Sequence, residues 1–460
     1  MYKMIFQSKI RLSLVYLLFL FFVFGCAMDE EKDEDTSTTF SGLASWGLKA
    51  DRDNSNNLYI TGFSYGDISS DSGESESDIF LAKYDTSGNR IWLIQETGFD
   101  TEDFAMDIAV AKTSGNIYIA GYSYGELESG ADSGGSDIFV MKYNSAGIRQ
   151  WVQQIGSDRD DFCWGIAIDN SENIYLTGST YGVLPGSGAV NAVGIDLFLM
   201  KLDSSGDTLW VNQLGTENTL TNYTDAQTFG VALAVDGSND IIVGGITNDT
   251  LGDSKIGNTD IILSKFDSAG NRTWLKQLGT SYDDYLKDVA VATSGNIYFT
   301  GYTYGTVDAS YDYSVYEENH DYTEIFLAKY NSSGSEQWMK QAGSGVNDWS
   351  NSLAIDTSEN VYITGETMGD VTGDNVGYTD LVILKYNSSG DRTWVTQAGS
   401  TVYDSANGIT IDSSNDIYIT GKTYGELNSK KNEDDSFSAF LSKYNDVDGS
   451  WIWTDLFGSD

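Results

Sequence analysis

One pattern is written seven times along this chain, and it constrains the fold more than any other feature. An apolar run closing on glycine, N-L-Y-I-T-G at 57–62, returns with small changes at 116–121, 173–178, 240–245, 296–301, 360–365 and 416–421. Its closing glycine recurs at intervals of 59, 57, 67, 56, 64 and 56 residues. Each copy continues with a second apolar run ending on Lys-Tyr or a close variant, an Asx-Ser turn, and a tryptophan followed by glycine. Short strands and turns repeated at such a long period describe blades rather than a single sheet.

The unit from Gly165 to Gly215 shows how each blade is made. Four apolar runs, at 166–168, 174–177, 197–202 and 210–214, lie between turns rich in Asp, Asn, Ser and Gly. Those residues bond their own backbone or accept left-handed conformations, as tight hairpins require. Runs such as Ile-Tyr-Leu and Leu-Phe-Leu-Met are apolar on both sides, so each sheet is covered on both faces. A β-sandwich predicts clearer alternation and a parallel β-helix shorter rungs. The reading is all-β: a seven-bladed β-propeller of four-stranded antiparallel blades, at about 42–98, 99–156, 157–215, 216–279, 280–343, 344–399 and 400–460. Repeats that open on a first strand and finish on a fourth predict closure by packing of blade one on blade seven.

The motifs D-I-F-L-A-K-Y-D-T-S-G-N at 78–89, W-V-Q-Q-I-G at 151–156 and G-I-A-I-D-N-S-E-N-I-Y-L-T-G at 165–178 resemble the bacterial seven-bladed β-propeller repeat (SBBP) family. The resemblance runs from about residue 42 to the last residue. It implies an exported or surface propeller and no single activity, because fold does not fix function.

Lys3, Lys9 and Arg11 precede an apolar stretch at 12–24, then Gly25 and Cys26. Thirteen apolar residues fit a signal-peptide core, whereas a membrane-spanning helix needs about 20. Residues 23–26 resemble a bacterial lipobox, which implies lipidation of Cys26; Phe24 stands where a small residue is usual, leaving an uncleaved anchor or ordinary secretion as alternatives. Several acyl chains would make such an anchor stable. Residues 26–41 follow as an acidic tether too poor in apolar surface to fold. The whole chain carries −42, and −45 without its first 25 residues, which hold three bases and no acid. That charge argues against nucleic acid and anionic lipid as partners. The expectation is a monomer in the bacterial envelope, lipid-anchored at the outer membrane, periplasmic or surface-exposed. With Cys26 lipidated, Cys163 has no disulfide partner, and its place between Phe162 and Trp164 reads as a small buried side chain.

Turns between strands one and two, and three and four, lie at one end of the ring and are monotonous. At the other end, the spacing from the constant glycine to strand three varies from 15 to 23 residues. That end is the candidate binding surface. Its longest loop, 302–323, holds Tyr304, Tyr311, Tyr313, Tyr316 and Tyr322 among acids, a mixture able to stack on sugars or grip a basic protein segment. His320, the one histidine, lies there and reads as solvated. Asp103, Asp161, Asp284, Asp348 and Asp404 each follow the previous blade's closing glycine by five residues. They read first as acceptors of backbone amides, with a Ca²⁺-holding ring at the channel mouth as the alternative; no other cofactor is indicated. The D-x-S-x-N turns lack the glycine and distal glutamate of an EF-hand loop and read as hairpins. The recurrent strand-three lysines, Lys83 to Lys443, read as structural bridges.

Two functions of different class follow. One is a non-catalytic binding or scaffold module for protein or glycan; the other is a propeller enzyme acting on polysaccharide through carboxylates. A third reading is a surface spacer without a specific ligand. The sequence contains no nucleophile-base pairing and no His/Cys metal cluster, which favours the first.

Overall fold

The computed structural model describes residues 44–65, 77–96, 101–127, 134–189, 194–215, 226–252, 255–308, 322–372, 376–428, 430 and 436–457. Contacts divide the chain into Met1–Phe40 and Ser41–Asp460, and every described residue belongs to the second unit. That unit is a ring of seven sheets, each built from four consecutive antiparallel strands. Blade three is representative: Asp161–Ile168, Ile174–Thr180, Asp196–Leu202 and Thr208–Leu214 run from the axis outward. First strands neighbour one another around the axis.

The first strand begins earlier than its apolar residues suggest. In blade three it opens at Asp161 rather than after Trp164, with Asp161 opposite Thr180. Aspartate disfavours strands, so the sequence reads as a crossover, yet here the backbone ladder continues under it. Midway along, every first strand carries a β-bulge. The bulge explains the constant glycine. A Cβ on Gly178 would sit 1.9 Å from the Phe162 carbonyl oxygen, and one on Gly301 1.8 Å from that of Tyr285. Only a residue without a side chain lets the bulged neighbour approach so closely.

Constant side chains join blade to blade. Lys142 lies 5.0 Å over the Tyr118 ring and donates to the Ser204 carbonyl in the next blade's outer turn at 3.1 Å. Lys83, Lys201 and Lys329 repeat the arrangement onto Ser145, Ser268 and Ser388. Each outer-strand tryptophan packs under the glycine of the next blade's turn: Trp151 under Gly206, Trp338 under Gly390, and Trp453 under Gly88 to close the circle. The Asx turns are self-contained, since Asp169 Oδ1 accepts from the Ser171 and Asn173 amides and Oδ2 from Tyr175. Closure uses packing, not strand exchange: Leu58, Ile60, Phe80 and Tyr84 share one core with Tyr418, Leu441 and Phe457. The Ser45 amide donates to the Phe437 carbonyl at 2.9 Å.

Candidate functional site at the crossover end

The end bearing the crossovers and two-to-three loops is built in layers. Outermost are tyrosines three residues past the constant glycine: Tyr65, Tyr124, Tyr181, Tyr304 and Tyr424, all half-buried. The backbone fastens them to the start of their own blade's first strand, with the Tyr124, Tyr181 and Tyr304 amides donating to the carbonyls of Glu102, Asp160 and Asp283. Burial, then the carboxylates of these same acids, pushes the phenols up, Tyr181 to about 12. Tyr378, 62% exposed, stacks on Tyr403 at 5.2 Å on this end as well.

Beneath them lies a ring of cross-strand pairs: Trp46–Phe63, Phe104–Tyr122, Phe162–Ser179, Phe229–Ile246, Tyr285–Tyr302, Trp349–Glu366 and Ser405–Lys422. On blades one to three these rings touch in series: Phe63 meets Phe104 at 4.8 Å, Phe104 stacks on Tyr122 at 5.0 Å, and Tyr122 meets Phe162 at 4.9 Å. On blades five to seven the layer turns ionic. Burial raises the Glu366 carboxyl against the pull of Lys422, Ser405 and Lys287. Burial lowers the Lys287 ammonium to about 8, opposed by Glu366 and assisted by Lys49. Lys287 also lies 5.6 Å from the Tyr302 ring centroid, and Lys422 5.2 Å from that of Phe437.

Deeper still, Lys49 of blade one reaches across the axis to Asp288 Oδ2 of blade five and Ser352 Oγ of blade six, both at 3.1 Å. Burial alone would lower its ammonium, but Asp288 and Asp107 outweigh it and hold it high. Burial pushes Asp107 up to about 7 despite Lys49 and the Ile166 and Ile108 amides, with Asp288 adding to the rise. The layers therefore offer apolar ring faces on one side and ammonium, carboxylate and hydroxyl groups on the other. That mixture suits recognition of a partly apolar, hydroxyl-rich or basic ligand.

The five first-strand aspartates do not line the channel mouth. Asp103, Asp161, Asp284, Asp348 and Asp404 are wholly buried, each at a separate blade junction. Asp161, Asp284, Asp348 and Asp404 accept the backbone amide four residues earlier, at 2.5 to 2.6 Å, as the simpler reading of the sequence held. Among the described residues no three His, Cys, Asp or Glu side chains converge as a metal would require. The junctions keep these acids apart because each belongs to a different sheet.

Of the tyrosine loop, Tyr304 is half-buried and Tyr322 is 47% exposed. Tyr311, Tyr313, Tyr316 and His320 lie outside the described residues, as does Cys26. Cys163 is buried and unoxidised, its thiol pushed up by burial. Of the seven lysines, Lys83, Lys142, Lys201, Lys329 and Lys385 bridge to the next blade, while Lys265 and Lys443 pair with Asp236, Asp240 and Asp416 of their own blades. Sequence reasoning missed the ionic trio and the aromatic ring. The signal was present: the residue after the constant glycine runs Phe63, Tyr122, Ser179, Ile246, Tyr302, Glu366, Lys422, varying where its neighbours do not.

Comparison with known families agrees with this architecture. A β-propeller repeat family, SBBP, matches residues 150–185, 273–307, 337–371 and 393–428. The chain is a seven-bladed propeller that carries SBBP repeats at these four positions. Each match spans an outer strand, a crossover and the next two strands, and so includes one junction aspartate with its facing threonine. The chain is 21% identical to an uncharacterized WD repeat-containing protein, L264, of Acanthamoeba polyphaga mimivirus, over 87% of this chain and 37% of that one. It is 25% identical to the regulatory protein FlaEY of Caulobacter vibrioides, over 54% of this chain and 25% of that one. It thus spans well under half the length of these relatives. Among solved structures, puromycin hydrolase is similar with a TM-score of 0.49 at 8% identity, over 88% of this chain and 53% of that one.

Proposed function

We propose that this protein is a non-catalytic binding or scaffold propeller that takes a glycan or protein ligand at its crossover end. One observation carries the reading: half-exposed tyrosines beside Glu102, Asp160 and Asp283 recur around that end above a layer whose rings touch in series on blades one to three. Rings that are held in place by their backbone lose little freedom on binding, and each adds a hydroxyl to its apolar face. The lipobox-like residues 23–26 support attachment to the bacterial envelope through Cys26. Glycan-array and pull-down screening of residues 42–460 tests the ligand, with and without Ca²⁺. Binding should fall at least about tenfold in Tyr124→Ala/Tyr181→Ala, roughly what two anchor rings supply. Binding that survives this change and replacement of 302–323 refutes the assignment of the face. Fatty-acid labelling lost in Cys26→Ser tests the anchor.

A second reading rests on Glu366, whose buried Oε1 has no hydrogen-bond partner and whose carboxyl is raised beside Lys287. Perturbed groups of this kind can serve acid–base chemistry on polysaccharide. Polysaccharide cleavage lost in Glu366→Gln would favour it over binding alone.

A further inference from the structure

One step outward from the aromatic ring, a row of acids and hydroxyls runs through the blades. Within blade three Asp161 faces Thr180 and Thr180 faces Asp196; within blade six Asp348 faces Thr367 and Thr367 faces Asp380. At the junctions the row continues acid to acid. The place a Cβ on Gly399 would occupy lies 2.2 Å from Asp380 Oδ1 and 3.1 Å from Asp404 Oδ2. The corresponding point at Gly343 lies 1.6 Å from Glu324 Oε2 and 2.6 Å from Asp348 Oδ2, and at Gly279 2.6 Å from Asp284 Oδ2 and 3.4 Å from Asp260 Oδ1. At the junction of blades two and three the charge of Asp137 adds to the rise of the Asp161 carboxyl. Asp78 and Asp103 hold the equivalent positions in blades one and two.

These groups are at most 7% exposed. Among the described residues, none of Asp161, Asp260, Asp284, Asp348, Asp380 and Asp404 forms an ion pair with Lys or Arg. One oxygen of each capped acid is served: the Ser400 amide donates to Asp404 Oδ2 at 2.6 Å and Gln397 Nε2 to Asp380 Oδ2 at 2.8 Å. In Asp260, Asp284 and Asp348 the second oxygen is served too, by the Gly257 amide and the Thr303 and Ser344 hydroxyls, whereas Oδ1 of Asp161, of Asp380 and of Asp404 is enclosed without a hydrogen-bond partner. Two carboxylates so placed cannot both remain charged without compensation. A metal ion is disfavoured by the N–H donors already directed into each pair. A proton needs only the oxygens present.

We propose that each junction pair retains a proton between its two carboxyl groups, so that the blade junctions are latched in mild acid and loosen as pH rises. Burial pushes Asp161 and Asp348 up to about 6 and raises Asp284 and Asp404, against the amides and hydroxyls that bond them. The titratable groups facing them are Asp137 for Asp161, Asp260 and Tyr285 for Asp284, Glu324 for Asp348, and Asp380 and Tyr444 for Asp404. Because the folded acids hold protons more tightly than the unfolded ones, their contribution is complete at low pH and disappears as pH rises through about 6. Two junctions serve as internal controls. Thr228 stands in the aspartate position of blade four, and Ser45 with Ser438 at the seam between blades seven and one.

The test is thermal unfolding of residues 42–460 between about pH 5.5 and 8, in chelator and in Ca²⁺, with hydrogen exchange resolved by junction. Tm should fall by several degrees across this range in chelator, insensitively to salt, which separates the effect from general charge repulsion. Asp161→Asn/Asp348→Asn/Asp404→Asn should flatten the dependence and hold Tm at pH 8, since an amide mimics the protonated acid. Exchange protection at the Thr228 and Ser45 junctions, corrected for the intrinsic base-catalysed rate, should be unaffected by pH. A flat profile, a slope surviving the triple variant, or stabilisation at pH 8 that needs Ca²⁺ would overturn the proposal, the last in favour of a cation. If the triple variant fails to fold, the carboxylic acid carbonyl stretch in infrared difference spectra of the wild type decides: no protonated acid at pH 6 sinks it.

Discussion

The constant glycine shows how much a single position decides. Gly178 is fixed by the Phe162 carbonyl pressing over it, so Gly178→Ala should cost about 1–3 kcal/mol, the usual range for an overpacked site. Gly186, whose Cβ would meet nothing within 4 Å, should cost less on the same change despite its φ of +81°. Urea unfolding of both variants ranks them, and a larger loss at Gly186 would show that the bulge is not what selects glycine. Glu359 offers a charge-based counterpart. At a φ of +60° it occupies a strained left-handed position, offset by contacts of its carboxylate with Tyr298 at 2.6 Å, Asn296 at 3.0 Å and Lys329 at 3.1 Å. Burial would raise that carboxyl, but hydrogen bonds from Ser294, Tyr298, Asn296 and Lys329 bring it down to about 2. Its contribution is therefore present above about pH 4 and lost as pH falls toward 2. Glu359→Gln should lower stability at pH 7 by about 1–2 kcal/mol and flatten that acid limb in urea titrations.

At the scale of the strand, the third strand of five blades acts as a hook on the next blade. Lys201→Met should cost about 1–2 kcal/mol, through the lost bond to the Ser268 carbonyl at 3.2 Å and the lost ring contact with Tyr175 at 4.9 Å. Calorimetry that found no loss would return these lysines to the status of ordinary surface cations. The same scale shows where sequence reading stops. Strand existence was legible because apolar runs such as 174–177 are short and bounded by Asx turns. The start of each first strand was not, because Asp161 and its equivalents read as loop residues, while what holds Asp161 in the ladder is Thr180 opposite it and the Ser136 carbonyl of the preceding blade, neither of them a sequence neighbour. The ionic trio was hidden for the same reason: Glu366 and Lys422 each look like exceptions inside apolar strands until the ring brings them together.

At the scale of the whole ring, closure depends on side-chain packing without an exchanged strand. Phe457 is fully buried and packs at 5.4 Å from Phe80 and 5.7 Å from Tyr84, on the opposite side of the seam. Phe457→Ala should cost about 3–5 kcal/mol, and hydrogen exchange should rise first in blades one and seven. Uniform acceleration in all blades would mean that the seam is no weaker than other junctions. The two junctions without an acid pair have a mechanical consequence. They lie between blades three and four and between seven and one, so in mild acid, with the other five latched, a stretched ring parts into lengths of three and four blades. At higher pH the weak places multiply, and the rupture pattern under load should lose that asymmetry.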